Sequence, residues 1–98
     1  MPPTTIPPVN EKCKKVDEDI IGTPIKIEHG IENWEKCAYL CHQDNKCQFW
    51  TWISPQFPLD SSVGDCNLKE KSEGRKNVKG ILSGKSYCGK KISLAYII

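Results

Sequence analysis

The sequence predicts one small α+β domain stapled by disulfides, with a single helix among short strands, and three observations lead there. A chain of 98 residues has material for one apolar core and no more. Six cysteines in so short a chain are a density that oxidising compartments preserve as disulfides. One segment repeats its apolar residues at the helical period, whereas several shorter ones carry β-branched and aromatic residues between turn formers. Hydrophobic residues make up 38% of the chain and mean hydropathy is -0.50, which is lean for a core without covalent help.

Met1-Pro2-Pro3-Thr4-Thr5-Ile6-Pro7-Pro8 holds four of the seven prolines and favours extended polyproline II. Residues 1–11 are therefore expected to form an interdomain linker and residues 12–98 the folded domain. No leader with a charged start and an apolar run is present, and no stretch approaches the ~18 uninterrupted apolar residues of a bilayer span. A domain drawn from a longer secreted or membrane-anchored chain is the expectation. Next, Ile20-Ile21-Gly22-Thr23-Pro24-Ile25-Lys26-Ile27, broken by Gly and Pro, reads as two short strands around a turn. Asn33 is the predicted N-cap of a helix running through about His42. In that helix Trp34, Cys37, Ala38 and Cys41 fall at i, i+3, i+4 and i+7 and make one apolar stripe. After a turn at residues 43–46, Cys47-Gln48-Phe49-Trp50-Thr51-Trp52-Ile53 has strand propensity, with Trp50 and Trp52 on one face and Cys47, Phe49, Thr51 and Ile53 on the other. Large apolar groups on both faces predict a central strand. Residues 54–64 read as a loop, and residues 66–69, 78–82 and 92–98 as further strands.

Six cysteines permit fifteen pairings, and geometry narrows them. Cys37 and Cys41 lie one helical turn apart on the same face, so each is better placed to bridge outward than to its neighbour. A tight reversal brings Cys41 near Cys47, Cys37 then reaches Cys66, and Cys13 with Cys88 ties the ends of the domain. On the chain-entropy model that last long loop would contribute roughly 4 kcal/mol.

These residues resemble a PAN/apple domain over about residues 12–90. The resemblance rests on Cys13, on Gly22 within its apolar segment, on Trp34-Glu35-Lys36-Cys37-Ala38-Tyr39-Leu40-Cys41, on Cys47-Gln48-Phe49-Trp50-Thr51-Trp52, on Cys66-Asn67-Leu68-Lys69, and on Ile81-Leu82-Ser83-Gly84 before Cys88. It implies a helix cradled by a mainly antiparallel sheet of about five strands. It also implies the six-cysteine apple pairing, which coincides with the one above, and a binding role such as those of clotting-contact proteases and microneme adhesins of apicomplexan parasites. The apolar tail at residues 92–98 departs from a boundary segment and reads as an edge strand or an interface with a following domain.

Zinc is disfavoured although Cys37, Cys41, His42 and Cys47 are close in sequence, because a second clustered pair is missing. His29 and His42 belong to no recognisable nucleophile or metalloprotease motif, and no phosphate-cradling glycine loop occurs, so neither an enzyme nor a cofactor is expected. Charge is the one uneven surface feature. Residues 69–91 hold eight basic residues against two acidic ones, while the remainder holds six basic and ten acidic residues. A basic segment of this kind steers sulfated or sialylated glycans, or an acidic protein face. Lys69, Lys71, Arg75, Lys76, Lys79, Lys85 and Tyr87 are the candidate ligand contacts, whereas Trp34, Trp50 and Trp52 read as core. The expected partners are a cell-surface glycan or protein receptor and neighbouring domains of the same chain. No groove-reading motif for nucleic acid appears, membrane insertion is not expected, and no Asn-x-Ser/Thr acceptor occurs among the five asparagines.

Overall fold

The computed structural model describes residues 14–86. Five strands and one helix follow in the order β1 (Lys15–Ile20), β2 (Pro24–Glu28), α1 (Trp34–Gln43), β3 (Phe49–Ile53), β4 (Cys66–Lys69) and β5 (Arg75–Lys85), with a short 3-10 turn at Asp60–Ser62. All pairings are antiparallel and the spatial order is β1-β5-β3-β4-β2. The predicted linker at 1–11, the Cys13–Cys88 bridge, Tyr87 and the strand at 92–98 lie outside the described residues.

Helix α1 begins where the sequence predicts. Asn33 has extended backbone and its side chain accepts the amide of Lys36, at 2.8 Å, which satisfies one of the donors that a helix start leaves free. The buried stripe is Trp34, Cys37, Ala38 and Cys41, and it packs on the side of the sheet that presents Trp50, Trp52, Cys66 and Leu68. The ring of Trp34 stacks on that of Trp50 with centroids 5.7 Å apart, an arrangement worth about 1 kcal/mol beyond the area it buries. Both strand indoles keep their N–H satisfied, Trp50 donating to the Lys85 carbonyl at 3.1 Å and Trp52 to the Ile31 carbonyl at 3.0 Å. Cys37–Cys66 joins the helix to β4 with Cα atoms 5.5 Å apart, and Cys41–Cys47 closes the reversal with Cα atoms 5.1 Å apart. On the chain-entropy model these loops contribute roughly 3.5 and 2.5 kcal/mol.

The two strands expected around a turn at 20–27 form, but not as a hairpin: β1 and β2 are the opposite edges of the sheet. A flat five-stranded sheet would hold its outer strands about 19 Å apart. Only residues 21–23 separate β1 from β2, and four residue steps reach at most about 14 Å. The sheet must curl at this end, where the β1–β5 ladder is prolonged by Ile21 donating to Gly74 at 2.9 Å and Glu73 donating to Ile21 at 2.8 Å. Gly22 permits the closure, because a Cβ there would stand 2.7 Å from the Lys71 carbonyl oxygen.

Strand β5 is longer than the segment 78–82 predicted for it, and it bends at Gly80. Opposite the bend, β1 loses register between Val16 and Glu18, and Asp17 takes a left-handed φ of 59°. Its carboxylate accepts the amide of Gly80 at 2.8 Å, a bond between strands 63 residues apart in sequence, and Asp tolerates the left-handed conformation better than most residues. Gly80 itself has φ 88°, and a Cβ on it would fall 2.5 Å from the Phe57 nitrogen.

The curl creates a second interior on the side away from the helix. Thr51, Ile53, Lys69, Ile81 and Ser83 are buried there, with Thr51 directly opposite Ser83 and Ile53 opposite Ile81. The central-strand expectation for β3 holds. The hydroxyls of Thr51 and Ser83 are buried without a hydrogen-bond partner, and an unpaired buried hydroxyl costs about 1–3 kcal/mol. Thr51→Val, which keeps the shape and removes that hydroxyl, is expected to stabilise the domain by about 1 kcal/mol in urea denaturation; destabilisation by a similar amount would show that the hydroxyl is satisfied in solution.

Candidate functional site

Strand β5 carries most of the basic residues singled out from the sequence, and the fold disperses them. Arg75 and Lys85 are its two ends, ten residue steps and up to about 33 Å apart along an extended strand. Lys71, Arg75, Lys76, Lys79 and Lys85 are all exposed. Tyr87 lies outside the described residues.

Lys69 corrects the sequence expectation. It was grouped with the surface cations, but it is only 5% exposed, since it stands opposite Phe49 on the interior side of the curled sheet. Its ammonium donates to the carbonyl of Ile20 and lies 3.6 Å from the Asp19 carboxylate. Lys69 thus fastens β4 to the end of β1, across the closure, and cannot present its charge to a ligand.

Three of the remaining cations face carboxylates of their own chain. Arg75 donates to Glu18 at 2.8 Å, Lys76 stands opposite Asp19 in the strand register, and Lys71 shares its cleft with Glu70 and Glu73. Glu18 and Asp19 of β1 thus stand against Arg75 and Lys76, so part of the positive charge at the start of β5 is offset in space. Among the described residues Lys71, Lys76, Lys79 and Lys85 all lack a carboxylate within ion-pair distance, but Lys79 and Lys85 also have none opposite them in the strand register. They are the cations of β5 best placed to meet an anion.

Two shallow clefts flank β2. One, of about 190 Å³, lies between β2 and the end of α1 and is lined by Lys26, Glu28, Leu40, Gln43, Asp44 and Leu68. The other, of about 240 Å³, is formed at the closure by Gly22, Thr23, Ile25, Glu70, Lys71 and Glu73. Across the first, Lys26 Nζ sits 2.9 Å from Glu28 Oε2, and the hydrogen bond to Glu28, reinforced by its charge, holds the Lys26 pKa above the ordinary lysine value. Sequence reasoning did not single out this cleft, and its signal was the alternation Ile25-Lys26-Ile27-Glu28. His29 Nδ1 lies 2.7 Å from Asp65 Oδ1. Cys37, Cys41 and Cys47, the cysteines of the discounted zinc set, are all disulfide-bonded. Among the described residues no cluster of His, Cys, Asp and Glu has metal-binding proximity, and no helix is long and apolar enough to cross a membrane.

The described residues form a disulfide-stapled helix on a curled five-stranded antiparallel sheet. The family model described as PAN domain matches residues 19–69, just over half of the chain and the part that contains α1 and both described disulfides. The chain belongs to the PAN domain family, whose PAN and apple domains are known as binding modules. Among solved structures it is similar to the two N-terminal apple domains of Toxoplasma gondii microneme protein 4, with 18% identity and a TM-score of 0.61 over 83% of this chain and 49% of that one. It is also similar to a PAN module from Eimeria tenella, with 24% identity and a TM-score of 0.56 over 88% of this chain and 92% of that one. The chain spans about half the length of the two-domain Toxoplasma structure. No curated protein matches the sequence.

The distinction between buried and exposed lysines is measurable. Lys69→Ala removes a buried stem and leaves the Ile20 carbonyl unpaired, so it is expected to lower unfolding free energy by about 2 kcal/mol, whereas the exposed Lys85→Ala should change it by no more than about 0.5 kcal/mol. Equal, small effects in urea titrations would place Lys69 back on the surface.

Proposed function

We propose that this chain is an extracellular adhesive module of a larger secreted multidomain protein, and that it binds extended, sulfated, glycosaminoglycan-like carbohydrate on a host-cell surface without catalysing a reaction. The observation that supports this reading is the spacing of the exposed cations along β5. Lys79 and Lys85 belong to one strand, six residues apart on either side of the bend at Gly80, and up to roughly 20 Å separates such positions. One monosaccharide cannot touch both. A linear polyanion lying along the strand can, and its repeated sulfates would reward the separated charges that a compact sugar pocket would waste. Arg75, Lys76 and Lys71 join at the far end only by exchanging their own carboxylate neighbours for sulfate, so they are the weaker contacts. Tyr87, two residues after Lys85 in the sequence and outside the described residues, is proposed as a further contact on its sequence position alone.

The disulfides, which persist in oxidising compartments, and the likeness to modules of apicomplexan proteins, one of them a microneme protein, support the secreted setting, with release through a secretory organelle such as the microneme. Residues 1–11 would serve as the linker to a preceding domain.

Binding of size-defined heparin oligosaccharides by calorimetry tests the proposal. Affinity is expected to rise steeply from disaccharide to octasaccharide and to fall with added salt as exposed charges are screened. Lys79→Ala and Lys85→Ala should each weaken the octasaccharide by about three- to tenfold, which is about 0.7–1.4 kcal/mol. Affinity that is independent of length, or unchanged in both variants, would reject a β5 polyanion site.

A further inference from the structure

Among the described residues the outer edge of β2 has no partner strand, because the sheet ends there. Its Ile25 and Ile27 are 41% and 46% exposed. An exposed apolar edge is a template for pairing with another chain, and proteins blunt such edges with bulges, prolines and charges. The opposite edge is blunted in this way, since β1 is broken at Asp17 and carries three consecutive carboxylates. β2 is irregular only at its start, between Pro24 and Lys26, and keeps regular register through Lys26, Ile27 and Glu28.

The direction of the free backbone groups follows from the register. Ile53 donates its amide to Asp65, the residue opposite it if the β3–β4 register is continued. Hydrogen-bonded and non-hydrogen-bonded pairs alternate in an antiparallel ladder, so Cys66 and Leu68 turn their backbone groups toward β2. Their opposites there are Glu28 and Lys26. The N–H and C=O of Ile27 therefore point outward from the sheet.

We propose that β2 pairs antiparallel with β2 of a second copy of this chain, about a two-fold axis at Ile27. In that register Ile27 meets its own copy in a hydrogen-bonded pair, and Lys26 of each chain stands opposite Glu28 of the other. Two ammonium–carboxylate pairs then form on the helix side of the extended sheet, while the two Ile27 side chains meet on the other side and Ile25 of each chain faces His29 of the other. The strand is its own complement in charge and in apolar pattern, which is what selects a second copy over a foreign strand. The contact is one strand wide and falls in the weak class, below about 1,200 Å², so a dissociation constant on the order of 0.1–1 mM is expected. β3 and β4 lie between β5 and β2. Pairing leaves Lys79 and Lys85 uncovered and joins two β5 strands in one particle, a route to avidity. The proposal stands or falls separately from the glycan reading.

Sedimentation equilibrium with charge-reversed variants tests it. The wild type is expected to self-associate with the dissociation constant given above. Lys26→Glu places Glu opposite Glu in both pairs, and Glu28→Lys places Lys opposite Lys, so each variant alone should associate at least tenfold more weakly. An equimolar mixture of the two restores both pairs and should recover heterodimer affinity to within about threefold of wild type. The double variant K26E/E28K should recover it too. Both positions are surface positions, and unchanged thermal midpoints will show that the variants remain folded. A wild type that stays monomeric at about 1 mM, or a dimer that the single reversals leave intact, or a mixture as monomeric as its components, would each overturn the proposal.

Discussion

The structure depends on a reach constraint: the two outermost strands of a five-stranded sheet are consecutive in the chain and only residues 21–23 join them. A flat sheet cannot satisfy that connection, so one end closes on itself. Closure has two consequences that no single residue type announces. It makes an interior on the side of the sheet that the helix does not cover. It draws Lys69 inward as the fastening between β4 and the end of β1. Independently of closure, the β1–β5 ladder sets Glu18 against Arg75 and Asp19 opposite Lys76, which offsets part of the charge that the sequence separates.

The other side of the sheet follows different physics. There the helix supplies an apolar stripe, Trp34 stacks on Trp50, and two disulfides hold the helix and its following turn in place. Covalent staples and a small aromatic core suffice for this layer, because a domain of this size buries too little apolar surface to be secure on packing alone. The division of labour leaves the β5 cations and the outer edge of β2 as surfaces that the fold itself does not use. A recognition module needs such surfaces, and here they belong to strands whose positions the closure and the staples determine.

Local signals were legible in the sequence and long-range ones less so. Asn33, the Trp34-Cys37-Ala38-Cys41 stripe and the two-faced strand around Trp50 and Trp52 are short-range patterns, and each appears where its spacing indicates. The Cys37–Cys66 and Cys41–Cys47 pairs were also within reach, because helix periodicity and a tight reversal constrain them. The placement of β1 and β2 was not, since a Gly and a Pro between two apolar runs suit a hairpin as well as a crossing to the far edge. Lys69 looked like its lysine neighbours because burial is decided by the curl and not by the side chain. The complementary runs Asp17-Glu18-Asp19 and Arg75-Lys76 were a legible hint of β1–β5 pairing, visible only when charges are compared between segments rather than counted within them. Cys13, Tyr87, Cys88 and the tail at 92–98 lie outside the described residues.

Closure of the sheet is tested most directly by NOEs between the Lys69 side chain and Ile20, the contact that links β4 to the end of β1. If the end is shut, these NOEs will appear together with those of the β1–β5 ladder. Their absence, with the β1–β5 ladder intact, would mean an open sheet end and would contradict the account.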